Sequence, residues 1–159
     1  MNEHEPRLWP HDDAIRLVGE GLLACSLPRA AWTHEAHLSA CAWLILERPD
    51  MVPERDLPDI IRRYNESVGG VNDDTQGYHE TITQLFIRAV RFHVATTEGQ
   101  ALHERVNALL LSPQGRRDWP LRFYSTMLLF SKAARLGWVE PDRAMLPPSS
   151  AEVLARTRP

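Results

Sequence analysis

The chain has 159 residues, of which 43% are hydrophobic and 25% charged, and its formal net charge at pH 7 is -3. This is the composition of an ordinary globular protein, and the length suffices for one domain with one core. The net negative charge and the dispersed arginines argue against a nucleic-acid-binding protein. No apolar run reaches the roughly 20 residues that span a bilayer, and the N-terminus lacks the pattern of a secretory signal. We therefore expect a single cytoplasmic domain over residues 1–159 that binds neither nucleic acid nor membranes; its oligomeric state stays open.

The first half of the chain shows three helical patterns separated by prolines and glycines. Residues 1–11 are expected to be an irregular lead-in. The three predicted helices run from Asp12 or Asp13 to about Leu27, from the N-cap Thr33 to about Glu47, and from near Asp56 to Gly69-Gly70. The second of these is apolar nearly all round, which is typical of a helix at the centre of its domain.

The second half shows three more helical patterns. They run from about Tyr78 to Ala95, from a capping-box spacing at residues 97–100 to about Leu111, and over roughly 120–136 with an interruption at Ser131 left open. Residues 139–159 are expected to form an extended tail. No strand alternation or internal repeat is present, so the sequence predicts an all-α fold, an irregular bundle of five or six helices.

Histidines on the second and fourth helices are the main candidates for chemistry. His34 and His37 fall on one helical face at a three-residue step, which places their Cβ atoms roughly 5–6 Å apart. His79 lies on the inward stripe of the fourth helix. Three imidazole nitrogens with an open fourth position are a ligand set that catalytic zinc or a similar divalent ion uses. A metal site formed by His34, His37 and His79 is therefore one hypothesis.

Other polar residues near these histidines suggest supporting roles. Glu80 follows His79 about 100° further round the helix, which suits a general base or a partner of a ligand better than a ligand itself. Tyr64 and Tyr78 are candidates to orient a substrate, and Asp73 or Asp74 is a candidate oxygen ligand. The same polar residues also fit a buried hydrogen-bond network that needs no metal.

Two motifs carry a resemblance to a known family. They are Trp32-Thr33-His34-Glu35-Ala36-His37-Leu38 and Gly77-Tyr78-His79-Glu80-Thr81, followed by a C-terminal segment that includes residues 123–142. The chain resembles an uncharacterised family of small bacterial all-helical proteins with these motifs, over about residues 32–146. The family pattern has one more residue between the glycine and the tyrosine of the second motif. The resemblance implies a helical fold and motif positions at His34, His37, His79 and Glu80, without an assigned activity.

Two classes of function remain open from the sequence. The first is a helical protein with a small-molecule or divalent-metal site between the starts of helices two and four, with hydrolytic or acid–base chemistry. The second is a non-catalytic interaction or scaffold protein in which the His/Tyr/Glu cluster is a structural network. A site predicts a solvent-reachable cavity that touches at least two of the histidines, whereas a scaffold predicts sealed histidines beside an exposed apolar patch.

Overall fold

The structure is a computed structural model that describes residues 5–149. Within this range the chain forms seven α-helices and no β-strand, which confirms the predicted all-α class. The helices are α1 (Asp12–Leu23), α2 (His34–Glu47), α3 (Pro53–Ser67), α4 (Glu80–Thr96), α5 (Leu102–Leu110), α6 (Thr126–Leu129) and α7 (Lys132–Leu136). Single 3-10 turns span Arg29–Ala31, Pro113–Gly115 and Trp119–Arg122.

Helix α2 is the central element of the bundle. It packs against α1, α3, α4 and α5, and most of its side chains from Glu35 to Leu44 are buried. Thr33 caps it as predicted, because the Thr33 hydroxyl accepts a hydrogen bond from the Ala36 N–H at 3.2 Å. The apolar surface of α2 thus confirms the prediction of a central helix, and its first turn is fixed in place by the cap.

Helix α1 approaches α2 closely through a glycine. A Cβ atom added at Gly19 would lie 2.2 Å from Cε3 of Trp43, which is a direct clash with the indole. Relative to alanine, the glycine costs about 1 kcal/mol of helix propensity, but its lack of a Cβ atom allows the two helices to pack closely. Helix α1 ends at Leu23 and not at the predicted Leu27, because Cys25 adopts a positive φ of 55° and the chain turns there.

Helix α3 begins at Pro53, three residues before the predicted start, since a proline fits the first helical position, where its missing N–H costs nothing. Pro58 lies further inside the helix and cannot donate to the Glu54 carbonyl. The Gln84 side chain on α4 donates to that carbonyl instead, at 3.1 Å. The proline thereby provides a hydrogen-bonded connection between α3 and α4.

The predicted helix over residues 120–136 is wrong as a continuous element. Ser125 caps α6 by accepting from the Leu128 N–H at 3.1 Å, and Ser131 caps α7 by accepting from the Ala134 N–H at 3.2 Å. Each serine begins a new short helix, so residues 5–149 contain seven α-helices and not five or six. The capping box predicted at residues 97–100 does not form either, because α5 begins after Ala101 without a side-chain cap.

The ends of the described chain are irregular but tied to the bundle. The backbone N–H and carbonyl of Trp9 bond to the Asn107 side chain at 2.8 and 3.0 Å. The Tyr124 hydroxyl donates to the Val139 carbonyl at 2.7 Å. The expected lead-in at residues 1–4 and the expected tail at 150–159 lie outside the described residues. No helix within residues 5–149 is long and apolar enough to cross a membrane.

Candidate functional site

His37 has one ring nitrogen bound to its own helix and one without a protein partner. Its Nδ1–H donates to the Thr33 carbonyl at 2.7 Å, which fixes the neutral tautomer and leaves the lone pair on Nε2. The ring stacks on Trp32 with centroids 3.7 Å apart. Within residues 5–149 Nε2 has no hydrogen-bond partner, and this nitrogen is not fully closed off from solvent. Burial lowers the pKa of His37 to about 4, so Nε2 is a hydrogen-bond acceptor at neutral pH.

His34 lies one turn earlier on α2 and is turned towards a different part of the chain. Its Nε2–H donates to the Gly115 carbonyl at 2.7 Å, and its ring packs edge-on against Phe86 at 5.1 Å. Burial lowers the pKa of His34, so this imidazole is also neutral near pH 7. Its hydrogen bond joins α2 to the turn that follows α5.

His79 is a structural cap. Its Nδ1 accepts from the Ile82 N–H at 3.2 Å, which makes His79 the N-cap of α4 and corrects the predicted helix start at Tyr78. Its Nε2–H donates to the Leu129 carbonyl at 2.8 Å, at the end of α6. Both ring nitrogens are therefore used within the protein, and burial lowers the pKa of the ring.

The three imidazoles do not form the predicted ligand set. Within residues 5–149 no group of three or more His, Cys, Asp or Glu side chains is placed to hold a metal ion. The physical reason lies in the ring partners, since the protons of His34, His37 and His79 go to three separate carbonyls. The two candidate oxygen ligands are engaged as well: Asp73 accepts hydrogen bonds within its own loop, and Asp74 pairs with Lys132 at 2.9 Å.

Glu80 and Tyr78 bind each other. The Tyr78 hydroxyl donates to Oε2 of Glu80 at 2.6 Å, and Gln84 donates to Oε1 at 3.0 Å. Burial and the neighbouring carboxylate raise the pKa of Tyr78, so its hydroxyl stays protonated. Both Glu80 oxygens are thus occupied and this residue lines neither of the cavities described below, so the geometry does not favour Glu80 as a general base.

Tyr64 is fully buried and is used to hold the fold together. Its hydroxyl donates to the Leu27 carbonyl at 2.9 Å, which attaches the loop after α1 to helix α3. Burial raises the pKa of Tyr64. Tyr64 also borders the second of the two cavities described below, with its hydroxyl already bound to a carbonyl, so its substrate-orienting role stays a prediction.

Two adjacent cavities meet at the Trp32–His37 ring pair. Cavity A has a volume of about 610 Å³ and is bordered by His34 and His37, whereas cavity B has a volume of about 510 Å³ and is bordered by His37 and His79. Both volumes fall in the range of small-molecule sites. The residues that line both cavities are Trp32, His37, Ile61, Ile82 and Thr83. The two candidate motifs of the sequence therefore border one bipartite cleft.

Cavity A has apolar walls, and one charged and one aromatic residue lie at its opening to solvent. Its fully buried lining residues are Leu38, Cys41, Leu57, Ile61, Ile87, Pro120 and Leu129. Only two of its lining residues, Arg117 and Phe130, are exposed. Burial raises the pKa of the Cys41 thiol to about 12, so this cysteine is a neutral apolar wall and not a nucleophile.

Among the described residues, the charged side chains of the cleft are cationic. Arg117 lines cavity A and Arg29 lines cavity B, and no aspartate or glutamate within residues 5–149 lines either cavity. In the part of the chain that the structure describes, neither arginine has a carboxylate partner, whereas neighbouring Arg116 pairs with Asp118 at 3.1 Å. The charge of Arg117 also contributes to the lowered pKa of His37.

Comparison of the chain with protein-family models, with curated proteins and with solved structures finds no match.

Three residues of the cleft were not singled out from the sequence. Trp32 lies inside the first motif, but nothing in the pattern indicates that its ring stacks on His37. Thr83 and Arg117 follow no periodic signal, and Arg117 comes after a helix break at residues 112–115. The only sequence signal was the aromatic character of the C-terminal segment, from which Phe130 reaches the mouth of cavity A.

Proposed function

We propose that this protein binds a small molecule in the cleft beside His37, and that Nε2 of His37 accepts a hydrogen bond from the ligand. One observation carries the proposal: His37 borders both cavities with an acceptor nitrogen that no protein group uses. This nitrogen is not closed off from solvent, so a ligand O–H or N–H replaces water as its hydrogen-bond partner when the ligand enters the cleft. The apolar walls supply the remaining attraction.

The pKa of His37 favours binding over proton transfer. A general base is most effective when its pKa lies near the working pH. An imidazole with a pKa of about 4 takes up a proton poorly at pH 7 but accepts a hydrogen bond well. Metal binding by all three histidines, the other part of the sequence hypothesis, requires a hydrogen bond of His79 to break, because both of its ring nitrogens are used, whereas His34 and His37 each keep a lone pair.

The test uses 1-octanol, which offers one hydroxyl donor and an apolar chain. Titration of ¹⁵N-labelled protein is expected to shift the Nε2 resonance of His37, which in the free protein has the position of an unprotonated nitrogen. In Thr83→Phe, the added ring fills space that both cavities share, and we expect at least a tenfold loss of octanol affinity.

The matched control is Ala95→Phe, which adds a phenyl ring to an exposed position of the same helix. This variant is expected to bind octanol as the unchanged protein does, and circular dichroism establishes that both variants are folded. No shift at His37 on saturation with octanol, or equal binding by Thr83→Phe, would contradict the proposal.

A scaffold function is the second candidate, and exposed apolar residues near the C-terminal helices favour it. Met127, Phe130, Leu136 and Trp138 are 88, 58, 54 and 40% exposed. If these side chains form an interface, light scattering shows a concentration-dependent rise in mass that Met127→Glu abolishes. A monomer over the whole concentration range contradicts self-association through this surface.

A further inference from the structure

We infer that the ligand of cavity A is an amphipathic anion, an apolar carboxylate whose head group binds Arg117 at the mouth and whose body lies among the buried aliphatic residues. This inference rests on the proposed function and names the chemical class of its ligand.

The first argument is the distribution of charge. The whole chain carries a formal charge of -3, yet within residues 5–149 the formal charges that line cavities A and B belong to arginines. A cation beside low-dielectric walls attracts anions into a cavity that no carboxylate of this range lines. The planar Arg117 guanidinium can donate two parallel N–H hydrogen bonds, which matches the two oxygens of a carboxylate better than a ligand with one acceptor atom.

The second argument is the separation of polar and apolar parts within cavity A. Arg117 and Phe130 are the exposed lining residues, and the interior is closed by residues such as Leu57 and Leu129. A charged group buried in that interior would lose its hydration without compensation. The head group therefore stays at the mouth, where water and the guanidinium both solvate it, and the uncharged part of the ligand enters.

The third argument excludes the two histidines as carboxylate ligands. His34 and His37 each give the ring proton to a carbonyl, so the remaining nitrogen of each presents a lone pair. A lone pair repels a carboxylate oxygen and attracts an O–H or N–H. Arg117 is consequently the group in cavity A that binds the anion, and His37 selects a donor further along the ligand.

A neighbouring cavity shows what a different charge pattern looks like. Cavity C, about 660 Å³, lies beyond His34 and Arg117 and is lined by both acids and bases, among them Glu35, Asp118 and Arg122. His34 and Arg117 line cavity C as well as cavity A, and the walls of cavity C are more polar. An apolar anion fits cavity A better, because none of the lining residues of cavity A within residues 5–149 is a carboxylate and its interior is more apolar.

The experiment compares octanoate with 1-octanol, which share the alkyl chain and differ in head-group charge. Octanoate is expected to bind more tightly than octanol at low ionic strength, and this advantage is expected to shrink in 0.5 M salt. Arg117→Gln is expected to lower octanoate affinity roughly five- to tenfold and to leave octanol affinity unchanged. Isothermal titration calorimetry measures the affinity for each compound in each protein and at each salt concentration.

Arg116→Gln is the matched control. It also removes one positive charge, at the neighbouring position, but the Arg116 side chain does not line cavity A. Equal losses of octanoate affinity in both variants, or no loss in Arg117→Gln, overturn the inference. If octanol binds in the cleft and octanoate binds no more tightly, the proposed function stands and the anionic ligand class fails. If neither compound binds and neither shifts the His37 resonance, the proposed function itself fails.

Discussion

At the scale of single residues, the number of ring nitrogens that the protein already uses separates the three histidines. His79 uses both nitrogens in a cap and a cross-link, whereas His34 and His37 each use one. Of the latter two, only His37 borders both cavities. The helical face predicted for His34 does not give its partner, because the Gly115 carbonyl is distant in sequence, and the same holds for His79 and the Leu129 carbonyl.

His37 predicts a particular pH dependence of stability. Its pKa is about 4 in the folded chain and about 6.5 in the unfolded chain, so the unfolded chain binds more protons between these values. The free energy of unfolding therefore falls as the pH falls through this window. From pH 6.5 to 5 the loss from this residue alone is between about 1 and 2 kcal/mol, because the unfolded histidine is already half protonated at pH 6.5.

The measurement is urea denaturation from pH 7 to 5 for the unchanged chain and for His37→Phe, which retains an aromatic ring beside Trp32. The variant is expected to show a shallower dependence on pH. Some dependence persists, because burial also lowers the pKa values of His34, His79 and His93. Identical slopes for the two proteins would show that His37 does not titrate as described.

At the scale of secondary-structure elements, caps determine how much of the fold can be predicted from sequence. Helix α2 was predicted with its bounds because Thr33 is a common N-cap and Pro49 a clear stop. Helix α4 was predicted two residues too early because its cap is a histidine, which reads in sequence as one more helical residue. The bounds of α6 and α7 were not predicted for a related reason: a serine inside a helical pattern is an ambiguous signal, and the interruption at Ser131 was left open.

The cap of α4 can be separated from its link to α6. His79→Ala removes both hydrogen bonds and is expected to lower the free energy of unfolding by about 2–4 kcal/mol. Asparagine is a good N-cap but is too short to replace the ring at the Leu129 carbonyl. His79→Asn is therefore expected to lose about half as much as His79→Ala. Thermal and urea unfolding measure both values, and equal losses would mean that the cap itself contributes little.

At the scale of the whole molecule, the bundle is organised by close contact between α1 and α2. Apolar periodicity predicted both helices and the central position of α2, because burial of an apolar face needs no knowledge of its partner. Periodicity does not give the pairing of Gly19 with Trp43, since that depends on the distance between two helix axes. The walls of the cleft could not be predicted for the same reason, because they come from five separate segments of the chain.

Two glycines of α1 test this packing. In Gly19→Ala the new methyl group overlaps the Trp43 ring, and we expect a loss of about 2 kcal/mol in spite of the better helix propensity of alanine. A Cβ atom at Gly21 would meet the Leu27 side chain at 3.2 Å, a much milder contact. Gly21→Ala is therefore expected to stay within about 1 kcal/mol of the unchanged protein. Urea denaturation compares the two variants, and equal effects would contradict close packing at Gly19.

The buried thiol in the wall of cavity A offers a site for covalent labelling from within the cavity. With a pKa of about 12, Cys41 is ionised in only about one molecule in ten thousand at pH 8, so soluble alkylating reagents in bulk water leave it untouched. A disulfide-forming fragment with an alkyl tail approaches Cys41 from inside the cavity, and its residence there offsets the scarcity of thiolate. Mass spectrometry compares how much of each fragment is attached to Cys41 with how much is attached to the half-buried Cys25. Fragments that react preferentially with Cys41 indicate which chemical groups the natural ligand carries.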